Sequence, residues 1–178
     1  MITGIDLLPL SDIGYTEEIA EPWHSFEENA LAKAAAIHSY SEKNVFADDS
    51  GICVNALNGL PGVDSAHYSG ERDDEKNLQL ILTNLATATD RSAYYKAVIC
   101  LIWNDEVYYF EGLCEGHIIT EKRGDGGFGY DPIFIPAGYD LTFAELPPAV
   151  KNKISHRAKA IQKMVDFLKD RTEAESSL

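Results

Sequence analysis

The chain has 178 residues, 45% of them hydrophobic, which is enough for one sizeable core and one domain. Its formal net charge of −14 repels polyanions, so nucleic-acid polymers and anionic membranes are disfavoured partners. A local basic cluster can still hold a small phosphorylated ligand, because salt screens charges beyond about 10 Å.

The opening "MITGIDLLPL" has no basic region ahead of its apolar residues and does not read as a signal peptide. No apolar run reaches membrane-spanning length. Ser25-x-x-Glu28 is a capping box, and the alanine-rich stretch after it predicts a helix with Phe26, Ala30, Ala34 and Ile37 on one stripe. Lys33 falls beside that stripe. "NVFA" predicts a short buried strand ending at Asp48-Asp49. Strand alternation points those two carboxylates to opposite faces, and Ser50-Gly51 are expected to turn the chain away. "ICVNAL" continues as strand or extended chain up to the loop signals Asn58-Gly59 and Pro61-Gly62.

A second helix is expected from Asp73 or Asp74, with Leu78, Ile81, Leu82 and Leu85 facing the core. "SAYYKAVICLIW" and "EVYYFEGLCEG" read as strands joined by a turn at Asn104-Asp105, and "HIITEKR" as a further strand. "IFIP" is short and extended. A last helix has Ser155 as N-cap and Ala158, Ile161, Val165 and Leu168 as its inward stripe, before a solvated tail. Cys53, Cys100 and Cys114 are widely spaced without a C-x-x-C pair. They fit free thiols in a reducing, cytoplasmic compartment better than a zinc knuckle or a disulfide framework.

Gly124, Gly126 and Gly129 match G-x-G-x-x-G, but "YDPIFIP" follows, and Pro132 and Pro136 prevent the helix a dinucleotide fingerprint needs. Two readings of this loop stay open. One is a tight turn with an aromatic plug; the other lets the backbone approach a ligand while an aromatic ring stacks on a flat base. "KNKISHRAKAIQK" gathers Lys151, Lys153, His156, Arg157, Lys159 and Lys163 in an otherwise acidic chain. Helix N-termini disfavour cations, so a solvated basic face explains Lys159 and Lys163 better than His156 and Arg157. Donors at that place suit an acceptor-rich ligand.

Together, "SFEENALAKA", "FADDSGI", "ALNGLPGVDSAHYSG", "GFGYDPIF", "TFAEL" and "KNKISHRAKAI" resemble the non-canonical purine nucleoside triphosphate pyrophosphatases, the inosine triphosphatase-like family. The resemblance runs from about Asp12 to Leu168. It implies an α/β fold with a mixed, elongated central sheet, flanking helices and two lobes around a nucleotide-binding cleft. It also implies Mg²⁺-dependent hydrolysis of inosine, deoxyinosine and xanthosine triphosphates to monophosphate and pyrophosphate, by a homodimer. Matched residue by residue, Asp49 is the general base and a metal-associated carboxylate, Glu21 a second metal-binding acid, and Lys33 a phosphate-facing lysine. Ser50 is a substrate contact. Phe128, Gly129, Tyr130 and Asp131 form the segment that contacts the base, and Lys151, His156 and Arg157 complete that pocket. Asp48 is left as a supporting acid.

Residues 1–170 are expected to form one two-lobed catalytic domain and 171–178 a solvated tail. The family's early Asn-x-x-Lys segment, with its strand and helix, has no match upstream of Asp12, where "MITGIDLLPL" reads as the strand that follows that helix. Pro22-Trp23-His24 stands where Thr-Gly is more common. These departures leave a second reading, a nucleotide-binding module with weak or no turnover.

Overall fold

The computed structural model describes residues 5–21 and 23–175. In chain order the regular elements are α1 (Phe26–Ser41), β1 (Val45–Val54), α2 (Asp74–Asn84), β2 (Ser92–Trp103), β3 (Glu106–Ile118), β4 (Phe134–Pro136), α3 (Pro148–Ile154) and α4 (His156–Glu175). The α/β class follows as expected, with one antiparallel sheet of four strands in the order β1-β2-β3-β4.

The chain divides into two units. The first comprises Met1–Asp49, Val98–Glu111 and Ala160–Leu178; the second comprises Ser50–Ala97 and Gly112–Lys159. In the first, Ser25 caps α1 by accepting the Glu28 N–H at 3.2 Å, and its hydroxyl donates to the Glu28 carboxylate at 2.8 Å. Phe26, Ala30, Ala34 and Ile37 are buried as their spacing predicts. Phe167 of α4 packs against Tyr108 and Phe110 of β3, with ring centroids 4.5 and 5.4 Å apart.

In the second unit, Ile52, Val54, Leu78, Ile81, Leu85, Tyr95, Ile118, Phe134 and Phe143 form the core, with Leu82 packed at its edge. Asp73 caps α2 through the Lys76 N–H. The β2–β3 turn, which belongs to the first unit, falls at Asn104 and Asp105, both with positive φ, the backbone a two-residue hairpin requires. All three cysteines are free and buried.

Several expectations are corrected. The chain does not turn at Ser50-Gly51: β1 runs unbroken through Asp48-Asp49-Ser50-Gly51 to Val54. Glycine stands there for proximity, since a Cβ on Gly51 would lie 2.1 Å from the Gly62 carbonyl oxygen and 2.4 Å from Ser65 Oγ. The segment "HIITEKR" is not a separate strand. His117 and Ile118 close β3, opposite Ile135 and Phe134 of β4. Gly116 permits that approach, because a Cβ there would meet the Ile135 carbonyl at 2.2 Å.

The buried line of α4 is His156, Ala160, Met164 and Leu168, and Ile161 is 40% exposed. Burial of Ser155 and His156 at the helix start sets this phase, and the i, i+4 positions follow it. Ser155 is the N-cap as expected, accepting the Ala158 N–H at 3.1 Å. The helix continues past Asp170 to Glu175, and the Arg171 guanidinium lies 5.1 Å from the Phe167 ring. The rest of the expected tail, 176–178, lies outside the described residues.

Residues 5–9 form no strand, and Pro9 lacks the N–H a ladder would use. Residues 1–4 of that stretch, and Pro22, lie outside the described residues. Among the described residues no helix is long and apolar enough to cross a membrane.

Gly51→Ala is expected to destabilise the chain by about 2 kcal/mol or more, because the new methyl meets backbone that cannot yield. Urea unfolding of the two proteins measures this, and an unchanged midpoint would contradict the close-approach argument.

Candidate functional site

Two groups of polar side chains stand out, one in each unit. In the first, Asp49 lies in the interior of β1 and is buried to 8% exposure. Two residues one helical turn apart on α1 reach it: Asn29 Nδ2 donates to Asp49 Oδ2 at 3.1 Å, and Lys33 Nζ to Oδ1 at 3.4 Å. Lys33 also holds Glu21 at 2.6 Å, so one ammonium joins both acids. Burial raises the Asp49 carboxyl above its ordinary value of 3.8. The Lys33 charge and the Asn29 bond pull the other way, and Glu21 adds to the rise. The result is a partly desolvated carboxylate with a stronger hold on a proton than a surface aspartate has.

Sequence reasoning missed Asn29. Its amide also donates to the Trp23 carbonyl at 3.3 Å and accepts the Trp23 N–H at 3.2 Å. The signal was present, since a polar residue three after Phe26 and four before Lys33 falls at the edge of the apolar stripe.

The second group is built around Asp131, which is 2% exposed. Its carboxylate accepts the Phe128 N–H at 2.9 Å and the Tyr95 hydroxyl at 3.4 Å, and it is ion-paired with Lys151. Gly127 makes room for it, because a Cβ there would stand 2.1 Å from Asp131 Oδ2. Gly124 and Gly126 pack on Ala144, where a Cβ added to either would stand 2.7 Å from its backbone. These glycines serve the loop's own packing. Phe128 is nevertheless 67% exposed, with the Lys151 ammonium 4.6 Å from its ring centroid. The loop therefore combines features of both earlier readings.

Gly129 donates its N–H to Asp74 at 2.9 Å. Tyr130 turns inward, and its hydroxyl donates to the Ser65 carbonyl at 2.7 Å. Arg157 donates to Ser50 Oγ at 3.0 Å. His156 is buried with its imidazole stacked on Tyr95, the rings 4.8 Å apart and 12° from parallel. Burial pulls its pKa down from 6.5 to about 3, assisted by the charges of Arg157, Lys151 and Lys159. The ring is thus neutral near pH 7 and offers one donor and one acceptor. Tyr95 was not anticipated, for nothing within "SAYYKAV" separates it from Tyr94.

Of the residues expected at a site, Glu21, Lys33 and Asp49 are brought together in the first unit. Phe128, Asp131 and Lys151 are brought together in the second, as are Ser50 and Arg157. Among the described residues no cluster of three or more His, Cys, Asp or Glu side chains could hold a metal. The pair Glu21 and Asp49 is a hard-oxygen donor set already gathered around a cation. That suits Mg²⁺, which commonly takes one or two carboxylates and completes its shell with phosphate and water.

This α/β chain, with an acid–lysine group in one unit and an aromatic–basic group in the other, has clear relatives. The Ham1 family model matches residues 1–167, and the chain belongs to the Ham1 family. It is 46% identical over 168 residues to the dITP/XTP pyrophosphatase of Flavobacterium psychrophilum, covering 94% of this chain and 88% of that one. With the Bacillus subtilis dITP/XTP pyrophosphatase it shares 46% identity over 169 residues, covering 93% and 85%. Among solved structures, the Ham1 protein of Staphylococcus aureus superposes with a TM-score of 0.87 at 41% identity, covering 91% of this chain and 85% of that one. A Ham1 protein from Coxiella burnetii gives 0.88 at 38% identity, covering 94% and 87%.

The buried imidazole has a consequence for stability. Between pH 6.5 and about 3 the unfolded chain binds a proton at His156 that the folded chain does not. Its contribution is therefore fully present above pH 6.5 and is lost as pH falls toward 3. His156→Asn is expected to flatten the fall in stability across that window, read from urea midpoints at a series of pH values. An equally steep fall in the variant would contradict the assignment.

Proposed function

We propose that this chain hydrolyses purine nucleoside triphosphates carrying a 6-oxo group, namely ITP, dITP and XTP, to the monophosphate and pyrophosphate. The observation that carries the reading is the buried Asp49 carboxylate joined through Lys33 to Glu21, in a chain whose relatives are named dITP/XTP pyrophosphatases. Those names favour turnover over binding without turnover.

The phosphate end of the substrate belongs with the first group. Asp49, desolvated and biased toward accepting a proton, is the general base for the attacking water. Asn29 fixes its second oxygen, so the carboxylate keeps one orientation. Lys33 supplies positive charge to the phosphates. Glu21 and Asp49 would hold Mg²⁺, which when bound neutralises charge on the triphosphate.

The base end belongs with the second group. Phe128 offers an exposed face for stacking, and Lys151 sits over the same ring. His156 and Arg157 supply donors to the 6-oxo oxygen. Adenine carries an amino group there and would leave those donors unpaired, a mismatch of the kind that discriminates by orders of magnitude. Gly129, Tyr130 and Asp131 shape the loop that carries Phe128, and Ser50 anchors Arg157. A homodimer in the cytoplasm completes the proposal; it rests on the family resemblance and, for location, on three free thiols.

Asp49→Asn is expected to lower ITP turnover by about a thousandfold or more while leaving the unfolding midpoint close to that of the parent. Pyrophosphate release with Mg²⁺ present measures the first, and a variant retaining full activity would exclude Asp49 as the base. Phe128→Ala is expected to raise KM for ITP about tenfold with a smaller effect on kcat, because it removes a stacking face. Steady-state kinetics read this, and an unchanged KM would remove Phe128 from the base contact.

A further inference from the structure

Tyr95 lies in the interior of β2, is 8% exposed, and touches both halves of the base group. Its ring stacks on the His156 imidazole at 4.8 Å, and its hydroxyl donates to Asp131 Oδ1 at 3.4 Å. Phe134 and Phe143 wall the same ring, with centroids 4.8 and 5.8 Å away. Tyr95 thus has no freedom to tilt without disturbing this aromatic cluster.

The second observation is on the histidine. Among the described residues, His156 Nδ1 is fully buried and has no hydrogen-bond partner. A buried N–H without an acceptor is costlier than a buried lone pair, and orphaned donors are rare in folded proteins. The neutral ring therefore keeps Nδ1 as the bare nitrogen and carries its proton on Nε2. That tautomer survives only while the Nδ1 side stays dry and the ring keeps its plane.

We propose that Tyr95 is a positioning residue for the base end of the site. Its ring holds the His156 imidazole in one plane with the proton on Nε2, and its hydroxyl steadies the Asp131 carboxylate that organises Phe128 and Lys151. This inference rests on the pyrophosphatase reading for its consequence: a histidine locked as an Nε2–H donor accepts a 6-oxo base and rejects a 6-amino one. A ring free to exchange tautomers would present a donor or an acceptor to either base, and selectivity would fall. The dominant element is the stack, because the hydroxyl contact is long for an O–H···O bond.

The test combines imidazole ¹⁵N spectra of the ligand-free chain with kinetics on ITP and ATP, using Tyr95→Phe and Tyr95→Leu. His156→Gln assigns the resonance. The parent is expected to show His156 as the Nε2–H tautomer near pH 7, and Tyr95→Phe to keep it. Tyr95→Leu is expected to show averaging of the two tautomers. In parallel, the ratio of kcat/KM for ITP to that for ATP should fall about tenfold in Tyr95→Leu, chiefly through KM, and by less than about threefold in Tyr95→Phe. A residue that only filled space would lower the unfolding midpoint and leave that ratio and the tautomer unchanged. The proposal is overturned by an Nδ1–H tautomer in the parent, which needs no variant to fold, or by a Tyr95→Leu chain with parental selectivity. Absence of ITP hydrolysis by the parent would instead refute the pyrophosphatase reading, and the spectra would still decide the tautomer.

Discussion

A carboxylate placed inside a strand and largely withdrawn from water raises the free energy of the fold unless donors come to it. Asp49 occupies such a place, and α1 supplies the donors. The rotation of α1 that buries Phe26, Ala30, Ala34 and Ile37 is the same one that carries Asn29 and Lys33 to the two Asp49 oxygens. Packing and polar satisfaction therefore demand one orientation of the helix. Lys33 extends the arrangement to Glu21 on the irregular segment ahead of α1.

A parallel logic governs the second unit, with Asp131 in the central role. Its carboxylate is nearly inaccessible and is served by a backbone N–H, a phenol and an ammonium. Each donor belongs to a different part of the chain, so a single acid fixes the glycine loop, β2 and α3 at once. The exposed Phe128 ring owes its position to this internal bond at its own backbone nitrogen.

Much of the fold was legible because the signals were local. The Ser25 cap, the stripe of α1, the Asn104-Asp105 turn and the Ser155 cap all depend on residues within a few positions of one another. The failures were of another kind. Gly51 looked like a turn because glycine after serine usually is one; its actual reason, the nearness of Gly62 and Ser65, depends on tertiary approach. In α4 the apolar Ile161 points to one phase, whereas the buried polar pair Ser155 and His156 decides which face turns inward. Among site residues, Lys33, Asp49, Asp131 and Lys151 announced themselves by charge. Asn29 is marked only by its place at the edge of the α1 stripe, and Tyr95 not at all, since one tyrosine of a pair carries no sign of what it will touch.

The three cysteines have a meaning for how this chain meets its chemical surroundings. The reactive form of cysteine is the thiolate, and burial pushes the Cys100 and Cys114 thiols up to about 11 and raises that of Cys53. Near neutral pH all three side chains are held almost wholly as thiols behind packed side chains. Oxidants and alkylating reagents meet a protein with no ready nucleophile among its native cysteines. A single cysteine introduced on the surface would then react alone, against a chemically silent background.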